Sequence, residues 1–89
     1  MEYNELLDIY RNQIDTLDKE IIYLLGRRFK IVNEIGKLKK ENNIEAFQKD
    51  RWEQLMKENL EMAQECEVSQ ELVKEIWDMI HEKSLEIEI

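Results

Sequence analysis

Four cations, Arg11, Arg28, Lys39 and Arg51, stand on or beside apolar helical faces where packing alone would place Leu or Ile. Their chemistry is anion recognition. A guanidinium presents five N–H donors in a planar fork and keeps its charge, and an ammonium presents three donors on a flexible stem. Arg28 is the sharpest case. It fills the one odd slot in a stripe of Leu7, Tyr10, Ile14, Leu17, Ile21, Leu24, Ile31, Ile35 and Leu38, which recurs at alternating spacings of three and four. Arg11 and Lys39 each follow a stripe position, Tyr10 and Leu38, by one residue. A buried cation left unpaired costs on the order of several kcal/mol. The pattern therefore demands an anionic partner, either carboxylates on neighbouring helices or a bound anion.

Spacing narrows the choice. At a helical rise of about 1.5 Å per residue, Arg28 and Lys39 lie roughly 16 Å apart along the axis, within reach of two long side chains closing on one small molecule. Arg11 and Arg28 are about 25 Å apart on the same measure, too far to share that molecule within one straight helix. A second copy lying antiparallel and crossing near residue 22 would bring its Arg11 opposite residue 33, midway between Arg28 and Lys39. The spacing thus predicts a homodimer with two shared sites, each built from both chains.

The remaining inventory holds no nucleophile and no metal set. His81 is the only histidine, with no second His or Cys at ligand spacing, and reads as a surface or half-buried helix residue; Cys66 is the only cysteine and cannot form an internal disulfide. No Ser-His-Asp or Cys-His arrangement can be built. Asp15, four residues after Arg11, is expected to pair with it, with Asp18 further along that side. A site of Arg and Lys alone suits binding, or a reaction catalysed by charge and orientation. The net charge of -8 argues against nucleic acid and anionic membrane as partners. With no long apolar run and an acidic N-terminal segment, MEYNELLDIY, neither a membrane span nor a secretory signal is expected, and the expected location is cytoplasmic.

The elements that must position these residues are helical. There is no Pro, only 2 Gly and 38% charged residues in 89, a composition of an all-α domain, and one short enough to gain from oligomerisation. The periodicity predicts a first, very long helix from Tyr3 to Glu41, broken at Asn42-Asn43. It predicts a second from Ala46 to Gln64, with Leu55, Met56, Leu60 and Ala63 facing the core. After a connection at Cys66-Glu67-Val68, Ser69 reads as the N-cap of a third helix running to about Ile87, with Val68 and Val73 placed as a hydrophobic staple. Leu72, Val73, Ile76, Trp77 and Ile80 are its core residues. Gly26 and Gly36 fall inside the first helix and are read as points of close helix packing. Residues 1–89 are expected to form one domain.

The run RNQIDTLDKEIIYLLGRR, followed by IGKLKK and then DRW, resembles the all-helical, type II chorismate mutase family. Arg11, Ile14-Asp15, Asp18, Ile21, Leu24-Leu25, Arg28, Ile35-Gly36, Lys39 and Arg51 stand at that family's spacing, and the resemblance covers essentially the whole chain. It implies an intertwined antiparallel homodimer of three-helix chains that converts chorismate to prephenate, the committed step toward phenylalanine and tyrosine, with no cofactor. It also implies roles. Arg28 would bind one substrate carboxylate, Arg11 from the other chain the second with help from Arg51, and Lys39 would donate to a carboxylate and to the ether oxygen of the breaking bond. Ser84 matches a hydrogen-bonding position, and Glu88 the position that faces the ether oxygen as Gln or Glu. Gln48 and Trp52 stand where the family commonly has Asp and Glu, near the substrate's ring hydroxyl. Relatives on the same fold act on 4-amino-4-deoxychorismate or isochorismate, and a non-catalytic helical dimerisation module that binds an anionic metabolite is a reading from a different class.

Overall fold

The computed structural model describes residues 1–89 and contains three α-helices, α1 (Tyr3–Glu41), α2 (Lys49–Glu65) and α3 (Gln70–Glu88), and no strand. Residues 1–31 and 32–89 form two compact units.

The first unit is the N-terminal part of α1. Its apolar stripe is uncovered: Tyr10, Ile14, Leu17, Ile21 and Leu24 each expose more than half of their surface. A helix with such a stripe has a packing face and nothing from this unit to fill it. Arg11 does not form the expected ion pair with Asp15; the two side chains are exposed on successive turns. Water screens such a pair and side-chain entropy opposes it, so its absence costs little. Within the chain, a Cβ built at Gly26 meets nothing within 4 Å.

The second unit is built around α2 and α3. A four-residue connection turns the chain back, and the pairs Leu60–Gln70 and Trp52–His81 fix the antiparallel register: Gln70 Nε2 donates to Leu60 O at 2.9 Å, and the Trp52 and His81 rings stack at 4.0 Å. Ala63, Val73 and Ile80 are the buried apolar residues of this hairpin. Leu55, Met56, Leu60, Ile76 and Trp77 are half-buried, whereas Leu72, expected in the core, is exposed. Along the end of α1 the covered positions are Val32, Gly36 and Lys39, spaced four and three apart and displaced by one residue from Ile31, Ile35 and Leu38, which face outward.

Both connections begin with the same helix ending. Asn43 at the end of α1 and Glu67 at the end of α2 adopt positive φ, 56° and 59°. The Ile44 N–H then returns to Lys39 O at 2.8 Å and the Val68 N–H to Ala63 O at 2.8 Å. The inner partner bonds run from Asn43 N to Lys40 O at 3.3 Å and from Glu67 N to Gln64 O at 3.2 Å, completing two Schellman motifs. Asn tolerates the left-handed region; Glu carries its full Cβ penalty there. Glu67→Gly should therefore raise unfolding stability by about 1 kcal/mol net of the added chain entropy, measured as a higher urea midpoint at unchanged slope.

Ser69 caps α3 as expected, its Oγ accepting from Leu72 N at 3.2 Å. The start of α2 is a correction. It begins at Lys49 rather than Ala46, with Gln48 as an extended N-cap (φ -123°, ψ 104°) whose side chain makes no capping bond. Ala46 stays outside the helix because its carbonyl accepts from Lys39 Nζ at 2.6 Å.

Candidate active site

Lys39 lies on the last turns of α1, on the covered line with Gly36. The Schellman turn after it folds the chain over the lysine's own side chain, and that is how the carbonyl seven residues later reaches its ammonium. The second acceptor comes from much further along the sequence. Lys39 Nζ donates to Glu88 Oε1 at 2.6 Å, with only 17% of the lysine side chain and 8% of the glutamate side chain exposed. The pairs Lys37–Glu34, Lys49–Glu53, Lys74–Asp78 and Lys83–Glu86 are by contrast local and solvated, of the kind worth little. A desolvated pair is different: removing either partner would strand a buried charge, a loss of about 3–5 kcal/mol.

Glu88 is the last residue of α3, yet it is anchored rather than frayed. Helical hydrogen bonding continues to Ile89, whose N–H donates to Leu85 O at 3.1 Å. Gly36 lies directly beneath: a Cβ built there would come within 2.9 Å of Glu88 Cα. Close packing expected at this glycine is thus observed, and a helix-interior Gly costs about 1 kcal/mol against Ala. One turn before Glu88 on the same face, Ser84 is buried and its Oγ donates to Ile80 O at 2.7 Å. No buried side-chain nitrogen or oxygen of the chain lacks a hydrogen-bond partner.

An aromatic cluster joins α2 to α3. His81, one turn before Ser84, lies flat on Trp52 (4.0 Å between centroids, 22° between planes) and takes the edge of Phe47 at 5.6 Å. Trp52 is half-buried through this stack. Gln48 and Arg51 are exposed at the start of α2. Of the eight site residues expected from sequence, the structure bonds Lys39 directly to Glu88 and sets Ser84 on the same helix face as Glu88. Arg11 and Arg28 belong to the first unit, Arg11 exposed and Arg28 half-buried. Two participants had not been anticipated, the Ala46 carbonyl and His81. The first leaves no sequence signal, since it is backbone. The second could have been sought, because His81, Ser84 and Glu88 repeat at spacings of three and four.

A half-buried ammonium between a carboxylate and a carbonyl can serve as a fixed donor to an electron-rich oxygen. No group of three His, Cys, Asp or Glu side chains is clustered as a metal site would require. No helix is long and apolar enough to cross a membrane.

Comparison with known proteins bears on the same residues. No solved structure matches the chain. The T-protein of Haemophilus influenzae is 26% identical over 76 residues, which make up 85% of this chain and 20% of that protein; the chain spans about a fifth of that curated relative's length. The family model described as chorismate mutase type II matches residues 10–89, a span holding Arg11, Arg28, Lys39, Arg51 and Glu88. With nearly the whole of this all-helical chain inside that match, it belongs to the type II chorismate mutase family.

Proposed function

We propose that the chain catalyses the [3,3] rearrangement of chorismate to prephenate as an intertwined antiparallel homodimer with shared sites, residues 1–89 acting as one domain. The observation that carries this reading is the half-buried ammonium of Lys39, which donates at 2.6 Å to both Glu88 and Ala46, in a chain of this family. The reaction is internal: the ether C–O bond breaks, a C–C bond forms, and no proton moves. Catalysis then needs only a compact conformer and donors at the ether oxygen, where negative charge grows. Lys39 supplies one such donor, shared with a substrate carboxylate. Arg28 holds one carboxylate; the partner's Arg11 holds the other, with Arg51. Ser84 adds a hydrogen bond, and Gln48 and Trp52 lie toward the ring hydroxyl. The reaction as written uses no cofactor. A biosynthetic role in the cytoplasm accords with this reading.

The dimer is supported by the open stripe of α1, where Tyr10, Ile14, Leu17, Ile21 and Leu24 await a partner surface. Two such stripes lying antiparallel would cover one another, a self-complementary interface of the usual twofold kind.

The decisive measurement is incubation of purified protein with chorismate, following loss of its absorbance and identifying the product by mass. Prephenate is expected. Release of pyruvate, or turnover only of an amino-substituted chorismate, would instead support action on a chorismate relative. Trp52 keeps that second reading in view, because its ring is stacked on His81 and it has no carboxylate to offer a ring substituent. No turnover, with metabolite binding retained, would leave a non-catalytic binding module.

Glu88 yields a further prediction. In the free chain its carboxylate accepts from Lys39. Facing an oxygen that gains negative charge, it must instead donate, which a carboxyl does only with its proton on. Glu88→Gln, which carries an amide donor and is still an acceptor for Lys39, should therefore turn chorismate over at least as fast as wild type, and Glu88→Ala more slowly. Equal turnover of wild type, Glu88→Gln and Glu88→Ala would mean that Glu88 does not touch the reacting oxygen.

A further inference from the structure

We infer that Gly36 is a positioning residue for the Lys39–Glu88 pair: having no Cβ, it lets the backbone of residue 88 sit against α1, and this seat sets the distance from carboxylate to ammonium. The inference rests on the reading that Lys39 and Glu88 face the reacting oxygen.

The contact is unusually tight and involves backbone. A Cβ at position 36 would lie 2.9 Å from Glu88 Cα, 3.3 Å from its Cγ and 3.4 Å from its Cβ. Rotating the Glu88 side chain could relieve the second of these but not the first. The end of α3 itself would have to move away from α1, taking Glu88 with it, while Lys39, on α1 one turn after Gly36 and tied to Ala46 O, would stay. A contact of 2.6 Å between Nζ and Oε1 is lost with a shift of less than about 1 Å, given the limits of hydrogen-bond length. Gly26 supplies the contrast, since it lies in the same helix with open space around it. Helix flexibility is common to both glycines; proximity to Glu88 belongs to Gly36 alone.

The test places Gly36→Ala in a chain reinforced by Glu67→Gly, a stabilising change in the α2–α3 connection, outside the residues assigned to the site. Steady-state kinetics on chorismate are compared with and without Glu88→Ala, after circular dichroism has established folding. A positioning role predicts that Gly36→Ala lowers kcat at least about tenfold while KM stays within about threefold. It also predicts that the same substitution costs less than about twofold once Glu88 is already Ala, because the group it positions is gone. Equal losses in both backgrounds, a folded variant of unchanged kcat, or failure to fold even in the reinforced chain would each overturn positioning in favour of simple packing. If the parent chain itself does not turn over chorismate, it is the functional reading that fails. The seat is then judged from a crystal structure of Gly36→Ala, in which a Lys39–Glu88 contact kept at its original length overturns the inference and a broken one upholds it.

Discussion

Lys39→Ala is expected to lower chorismate turnover by on the order of a thousandfold or more, the scale of losing a preorganised donor at a developing oxyanion together with part of the carboxylate clamp. Two effects coincide in this variant. Glu88, 8% exposed, loses the cation it is buried against, so the fold should also weaken by about 3 kcal/mol. Thermal denaturation of the assayed sample separates these, because a folded but inactive chain isolates the catalytic part. Lys39→Arg should also be poor. A planar guanidinium cannot reproduce two bonds of 2.6 Å made by one nitrogen to Ala46 O and Glu88 Oε1. Turnover of Lys39→Ala within about tenfold of wild type would refute the donor role.

Arg11→Ala and Arg28→Ala chains, each inactive alone, should together regain about a quarter of wild-type activity after mixed unfolding and refolding, and up to about a half if hybrids form exclusively. The fraction follows from counting. A hybrid dimer has one site with both arginines intact and one with neither, and random reassortment makes half of the dimers hybrids. Hybrids shown to form without any activity would defeat the shared-site arrangement, whatever the fate of the chemistry.

Much of the helical framework was legible because its signals are local. The alternation of three and four from Leu7 to Leu38 sets α1 at Tyr3–Glu41, and Ser69 marks the start of α3. The start of α2 was misjudged by three residues for a reason that local pattern does not contain. The Ala46 carbonyl, which a helix would spend on a backbone N–H, is taken by a lysine side chain from the preceding helix. Periodicity also did not distinguish the two apolar lines of α1, the outward one at Ile31, Ile35 and Leu38 and the covered one at Val32 and Gly36. They differ by about 100° of rotation around one helix, and which of them meets α3 depends on residues 50 positions away. The link between Lys39 and Glu88 is of that long-range kind. Resemblance to a family suggested it; spacing alone could not. Gly36 was read as a close contact, but what it touches is visible only in the fold.

The ammonium of Lys39 is also a rotor that has been stopped. Three N–H bonds turn freely about Cε–Nζ in an exposed lysine, and their time-averaged field favours no direction. Here Ala46 O and Glu88 Oε1 fix two of the three, and tetrahedral geometry then leaves the third a single heading. A ligand arriving at this nitrogen would meet a group already stripped of most of its hydration and already aimed. It would accept from the third N–H as it stands rather than peel away a water shell and halt a rotation. Reorganisation that would otherwise be spent at binding has been completed during folding, and a mirror-image ligand with the same charges would find the donor pointing elsewhere.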